Sequence, residues 1–219
     1  MKHIVFLHGL GSHGVTMRFI QSYFNLFSDY NTYSFSYYSI TSNINQIISY
    51  IEDLFNNHFS SNDEVCIIGH SLGGIIAAKI ASSNLLNCKV SKIITLGSPH
   101  NGSLLANKII SCLPYIGKIF PIVAELSNNN IYKEYNITSK CSVGIISGRK
   151  EKSVWNPLVI AGSAILRKEK DHDGVVRICE NIIDCKDYIC MDIDHVNLLW
   201  SPDVAKQCLS FINNNIFYR

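Results

Sequence analysis

A chain of 219 residues with a formal charge of +2 has room for one sizeable α/β domain, and not for two ordinary domains plus a linker. Its Lys and Arg residues are scattered, which excludes the clustered basic face of a nucleic-acid binder. The eight cysteines include no C-x-x-C pair, so a zinc site is not expected. Cys66, Cys88, Cys112 and Cys208 sit inside apolar runs, where a free thiol packs as a small hydrophobe, and reduced cysteines are expected.

In chain order, His3 to His8 reads as an apolar strand. It follows Met1-Lys2 too closely for a signal peptide, which predicts a cytoplasmic protein or one whose leader was removed before this numbering. Val15 to Tyr30 carries Phe19, Ile20, Tyr23, Phe24 and Phe27 at helical spacing, and Thr32 to Ser39 alternates Tyr or Phe with Ser as a strand does. Ile44, Ile47, Ile48, Ile51, Leu54 and Phe55 mark a helix face. Residues 64–70 give a third strand, Lys92 to Gly97 a fourth, Ser142 to Ser147 a fifth and Tyr188 to Ile193 a sixth. The last helix opens at Ser201-Pro202-Asp203, an N-cap followed by Pro and an acid, and runs to about Ile216. Six strands separated by helices predict one α/β domain over 1–219: a mostly parallel sheet with helices on both faces, binding its ligand at the carboxyl ends of the strands.

Two segments break the rhythm. Residues 103–140 contain the apolar stretch Leu104 to Ala124, whose interruption by Lys108, Pro114, Lys118 and Pro121 argues against a membrane span. A long insertion at the carboxyl end of such a sheet predicts a lid of short helices. Gly148 to Lys170, with Trp155, Pro157 and Gly162, has no clear periodicity and reads as a loop near the site mouth. The Asn128-Asn129-Asn130 and Asn213-Asn214-Asn215 patches read as a loop and a fraying end.

The chemistry centres on Gly69-His70-Ser71-Leu72-Gly73. A G-x-S-x-G between an apolar strand and an apolar helix predicts a tight turn that projects the serine oxygen from the sheet edge. Serine needs a base within reach and an acid to orient that base. His195, just past the sixth strand, is the candidate base. His8 and His70 are expected to orient backbone around the site, and His3, His13 and His58 to be surface or structural. Asp171 and Asp173 are both candidates for the acid. Asp173 is preferred because the following Gly174 allows a tight turn that holds its carboxylate inward. Asp194 is too close in sequence for the usual orienting role, though it is placed to assist His195 locally. The flexible turn His8-Gly9-Leu10-Gly11 offers the Leu10 N–H opposite the Leu72 N–H as a second oxyanion donor. Gly9, Gly11, His70, Leu104 and Leu105 are expected to face substrate.

Together these pieces, with Leu96-Gly97-Ser98-Pro99-His100-Asn101-Gly102-Ser103, Asp173-Gly174-Val175-Val176 and Asp194-His195-Val196, resemble an α/β-hydrolase of the lipase/esterase superfamily, similar to the compact bacterial triacylglycerol-lipase-like and serine-esterase groups. The resemblance implies Ser71 as nucleophile, His195 as base, Asp173 as acid, and Leu10 with Leu72 as oxyanion donors. It also implies an ester hydrolase working through an acyl-enzyme on a small-molecule or lipid ester, with transient lipid-surface contact through the lid and no cofactor. Secreted members carry calcium beside an acid soon after the catalytic histidine. Asn197 stands in that region here, so no metal is expected, and Cys179 is expected as a free thiol. An acyl-thioesterase or acyltransferase would use the same residues. A non-catalytic binding protein on this fold is the remaining alternative.

Overall fold

The computed structural model describes residues 1–128, 140–151 and 156–219. Six strands, β1 (Lys2–Leu7), β2 (Asn31–Phe35), β3 (Glu64–His70), β4 (Lys89–Leu96), β5 (Ser142–Gly148) and β6 (Asp187–Met191), form one sheet in the order β2-β1-β3-β4-β5-β6. Every pairing is parallel. The central strands read as unbroken apolar runs because both faces of the sheet are covered.

On one face lie α2 (Ile44–His58) and α3 (Leu72–Ser82), which bury Ile47, Ile51, Phe55, Ile75 and Ile76 against Val5, Ile67 and Ile93. On the other, α1 (Arg18–Phe27) and α9 (Pro202–Asn214) bury Ile20, Phe24, Cys208 and Phe211 against Ile4, Phe6, Ile68 and Ile94. Side chains and a left-handed residue close the helix ends. Asn43 accepts from Gln46 N in a capping box, Ser201 caps α9, and Asn215 ends α9 in the left-handed conformation. Helix α3 is apolar nearly all round because it lies directly on the sheet: a Cβ at Gly73 would sit 2.2 Å from the Leu7 carbonyl oxygen, so only glycine permits that approach.

Three expectations need correction. β2 ends at Phe35 rather than at Ser39, because the Ser and Tyr groups of residues 36–39 bond to the loop after β1 instead of extending the sheet. The stretch read as a loop over 148–170 contains helix α7 (Pro157–Ile165), capped by Asn156, which accepts from Leu158 N and Val159 N. Its sequence Pro-Leu-Val-Ile-Ala-Gly-Ser-Ala-Ile has no polar stripe, so periodicity had nothing to register; Trp155 lies outside the described residues. Cys112, grouped with the packed thiols, is exposed, whereas Cys66 and Cys208 are buried. A short α8 (Ile178–Asn181) precedes β6.

Within 103–140, the described part folds as α4 (Leu104–Cys112), α5 (Ile116–Ile119) and α6 (Pro121–Leu126). Pro114 lies just past the end of α4 and Pro121 is the first residue of α6, the places where proline is tolerated. No described helix is long and apolar enough to cross a membrane.

Candidate active site

Ser71 sits between β3 and α3 with φ 54° and ψ −121°, a conformation that costs an L residue about 1–3 kcal/mol. Its N–H donates to Leu96 O (2.9 Å), and the N-terminus of α3 begins directly behind it. Leu72 is the first residue of that helix, where an N–H has no intrahelical acceptor and the helix dipole favours negative charge.

The acid and base meet across two loops. Asp173 is fully buried, and its Oδ2 accepts from His195 Nδ1 at 2.7 Å. Its other oxygen accepts from Val175 N (3.0 Å) and Val176 N (2.7 Å), and its own carbonyl accepts from His195 N (2.9 Å). The carboxylate is thereby locked from both sides, and the imidazole keeps Nε2 available. Asp171 is exposed and lies outside this couple; its carbonyl accepts from Ile178 N. The Asp194 carboxylate accepts from Val196 N, Asn197 N and Asn197 Nδ2, which form the turn after β6.

Gly97, which sequence reasoning assigned no role, is what lets this couple sit at the sheet edge. It has φ +57°, and a Cβ there would lie 3.0 Å from Asp173 Oδ2 and 3.1 Å from His195 Nδ1. The signal was present in the Gly-Ser-Pro turn after the fourth strand, but only geometry says what that glycine faces.

His70 packs behind the base, its ring centroid 4.7 Å from that of His195, with Nε2 3.0 Å from the His195 carbonyl oxygen. Burial, reinforced by neighbouring His195, holds its pKa down to about 3, so the ring is neutral and its Nε2–H is the donor.

The loop after β1 is braced by residues 34–39. The Tyr37 ring stacks on His8 at 4.0 Å, the Tyr37 hydroxyl donates to His8 O, and Tyr37 N donates to His8 Nε2 at 3.2 Å. His8 Nδ1–H then donates to Gly9 O (2.8 Å), and burial lowers the His8 pKa. Ser39, buried, accepts from Gly11 N (3.0 Å), and Ser36 accepts from Gly14 N (3.1 Å). Leu10 is carried on this fixed loop, and no protein acceptor takes its N–H among the described residues.

Ser71 and His195 open into an apolar cleft of about 480 Å³. Gly9, Leu10, Gly11 and His70 line one side; Leu105, Ala106 and Ile109 of α4, with Val123 and Leu126 of α6, line another. Leu104, expected to face substrate, is not among the lining residues. Leu105 and Ile109 are one turn apart on the inward stripe of α4, and Leu104 is its first residue, with its N–H donated to Glu180 Oε1 (2.8 Å).

A family model described as PGAP1-like alpha/beta domain matches residues 22–212, a span that holds Ser71, Asp173 and His195 and begins after the Leu10 loop. GPI inositol-deacylase of Candida albicans is 26% identical over 133 residues, covering 61% of this chain and 30% of that protein. GPI inositol-deacylase A of Yarrowia lipolytica is 36% identical over 58 residues, covering 26% of this chain and 5% of that protein. The chain thus spans less than a third of the length of these curated relatives. Among solved structures, the mature form of lipase BlEst2 from Bacillus licheniformis superposes with a TM-score of 0.70 at 17% identity, over 96% of this chain and 90% of that one. Phospholipase PlaB from Legionella pneumophila superposes with a TM-score of 0.63 at 19% identity, over 83% of this chain and 46% of that one. These likenesses show a shared fold. On the match over residues 22–212, the chain belongs to the PGAP1-like alpha/beta domain family.

Proposed function

We propose that this domain hydrolyses carboxylic esters of apolar acids through an acyl-enzyme on Ser71. The observation that carries the reading is the buried Asp173–His195 pair, 2.7 Å apart, opening with a strained serine into one apolar cleft. A binding protein gains nothing from holding a serine at positive φ. The names of the two curated relatives, both deacylases, support removal of an acyl group.

Asp173 accepts the Nδ1–H of His195 and so fixes Nε2 as the basic nitrogen. That nitrogen takes the Ser71 hydroxyl proton as the oxygen attacks the ester carbonyl. The resulting oxyanion is met by the N–H groups of Leu10 and Leu72, one such donor being worth about 10²–10³ in rate. Collapse breaks the acyl–oxygen bond, and His195 returns its proton to the departing alcohol. Water, deprotonated by the same nitrogen, then releases the acid and restores Ser71. Within 103–140, α4 to α6 serve as the lid, with Leu105, Ile109, Val123 and Leu126 against the acyl chain. Leu113, Tyr115 and Ile119, exposed between α4 and α6, give that lid an apolar outer face for transient contact with lipid.

The test is hydrolysis of p-nitrophenyl esters over a range of acyl lengths, with Ser71→Ala alongside. Activity that disappears in the variant supports the reading, and the preferred length reports how much of the cleft the acyl chain fills. Turnover retained in Ser71→Ala would remove the acyl-enzyme.

A further inference from the structure

Two parts of the site that lie far apart in sequence meet at one buried carboxylate. Glu180, in the short helix α8, is 3% exposed. Its Oε1 accepts from Leu104 N (2.8 Å) and from Arg177 Nε (2.9 Å), and its Oε2 accepts from Arg177 N (2.9 Å). Leu104 opens α4, the helix that supplies Leu105, Ala106 and Ile109 to the cleft. Arg177 closes the turn that aims Asp173 inward. It pairs with His172 in an antiparallel bridge, and it follows Val176, whose N–H donates to Asp173 Oδ1 at 2.7 Å. The Glu180 carbonyl also accepts from Asn101 N (3.0 Å), in the turn that leads from β4 to α4.

We propose that Glu180 is a positioning residue, which locks the Asp173 turn and α4 into one arrangement and so aligns the acyl chain with Ser71. The proposal rests on the ester-hydrolase reading and adds a residue to it. A carboxylate whose only task was to cap α8 would need the Arg177 N–H alone and could stand in water. Glu180 instead gives up water, a cost that its partners offset. A buried ion pair adds little net stability, and what it contributes here is specificity: any other arrangement strands a charge. The competing arrangements are those in which α4 slides or tilts away from the acid turn. Each would take the acceptor from Leu104 N and one of two donors from Oε1.

Outward from this contact the ties weaken with exposure. Arg177 Nη1 donates to Glu169 Oε2 (3.1 Å), and Glu169 meets Lys108, one turn along α4 from Leu104, at 3.5 Å. The Lys108 and Glu169 side chains are 33% and 28% exposed, so solvent screens the outer pair. The chain of charges returns to the helix it left, and only its buried end fixes geometry.

The experiment measures kcat and KM of the full chain on p-nitrophenyl butyrate and laurate, for wild type, Glu180→Gln and Glu169→Gln, with Tm for each. Glu180→Gln keeps the shape and loses the charge. It is expected to lower kcat about tenfold on both esters, through the acid turn, and to raise KM several-fold for laurate alone, through α4. Glu169→Gln is expected to stay within about twofold of wild type in both constants. Arg177→Ala should reproduce the Glu180→Gln pattern and recover activity in millimolar guanidinium, which stands in for the lost side chain; should Glu180→Gln fail to fold, this variant decides. A lower Tm with wild-type kcat and KM would overturn the proposal, as would a change in kcat or in laurate KM without the other. So would a defect in Arg177→Ala that guanidinium leaves untouched. If wild type turns over no ester, the ester-hydrolase reading fails by itself, and the positioning role is read at equilibrium. The measurements are then the downfield NMR resonance of the His195 Nδ1–H proton and the affinity for laurate. Weakening of both in Glu180→Gln supports the role, and a wild-type value of either overturns it.

Discussion

On the sheet side of the cleft, Ser71 after β3, Asp173 in the loop before α8 and His195 in the turn after β6 are fixed by short hydrogen bonds: His195 Nδ1 to Asp173 at 2.7 Å, Val176 N to Asp173 at 2.7 Å, Ser71 N to Leu96 O at 2.9 Å. On the helical side, α4 and α6 bury Leu105, Ala106, Ile122 and Leu126, with a few polar ties among the described residues: Leu104 N donates to buried Glu180, Ile44 N donates to Glu125 (2.8 Å), and Lys108 pairs with Glu169 at 3.5 Å, while α5 buries none of its residues. Directional bonds with no slack define one wall, and apolar packing with a few polar ties defines the other. On the proposed reading, the first holds reacting atoms within the tolerance that chemistry needs, and the second can change its side chains and alter which acyl chain fits.

Substitutions can break that contrast or sharpen it. The largest effect is expected from Asp173→Asn, which removes the acceptor that sets the His195 tautomer and should cost about 10³–10⁴ in kcat, with Asp171→Asn close to wild type. The reverse pattern would move the acid role to Asp171. Next, Gly97→Ala adds a methyl group against Asp173 and His195 at a positive φ, and about a hundredfold loss of kcat/KM is expected. Circular dichroism should show the fold retained; full activity would mean the couple has room to move. Ser39→Ala leaves Gly11 N without its acceptor and loosens the loop carrying Leu10, so kcat should fall about tenfold with KM little changed. A rise in KM alone would place Ser39 in binding rather than in oxyanion support.

On the helical side, Ile109→Ala should raise KM for long acyl chains several-fold while sparing short ones. Equal effects at every length would make α4 part of the rigid wall. The smallest effect concerns pH. Burial holds His70 at about 3 in the folded chain against 6.5 ordinarily, so below pH 6.5 the unfolded chain takes up a proton that the folded one refuses. Stability therefore falls with acidification across that window, and the slope of Tm against pH should be shallower in His70→Gln. Identical slopes would show that His70 titrates freely.

The strands, the turn at Ser71 and the position of His195 were legible because each rests on local pattern: an apolar run, a Gly-rich turn, a strand end. Asp173 was legible as the preferred of two acids, since Gly174 marks the tight turn beside it. Gly97, Tyr37 and Ser39 were not legible as site residues. Their partners are Asp173, His195, His8 and Gly11, contacts made across the sheet edge between segments far apart in sequence. Helix α7 escaped for the opposite reason, its uniform apolarity leaving no period to read. The alternation of Tyr/Phe and Ser over 32–39 is strand-like by pattern, yet its second half does better as bonding partners for a loop than as an edge of the sheet.

The order of the strands has a consequence for how the protein is made. Ser71 and the braced loop after β1 belong to the half of the sheet synthesised first, and His195 belongs to the turn after β6, the last strand of the described sheet to leave the ribosome. Domains take shape as the chain emerges. A nascent chain that has not yet released β6 therefore holds Ser71 without His195, and on the proposed reading any reactivity towards esters waits for translation to pass that point.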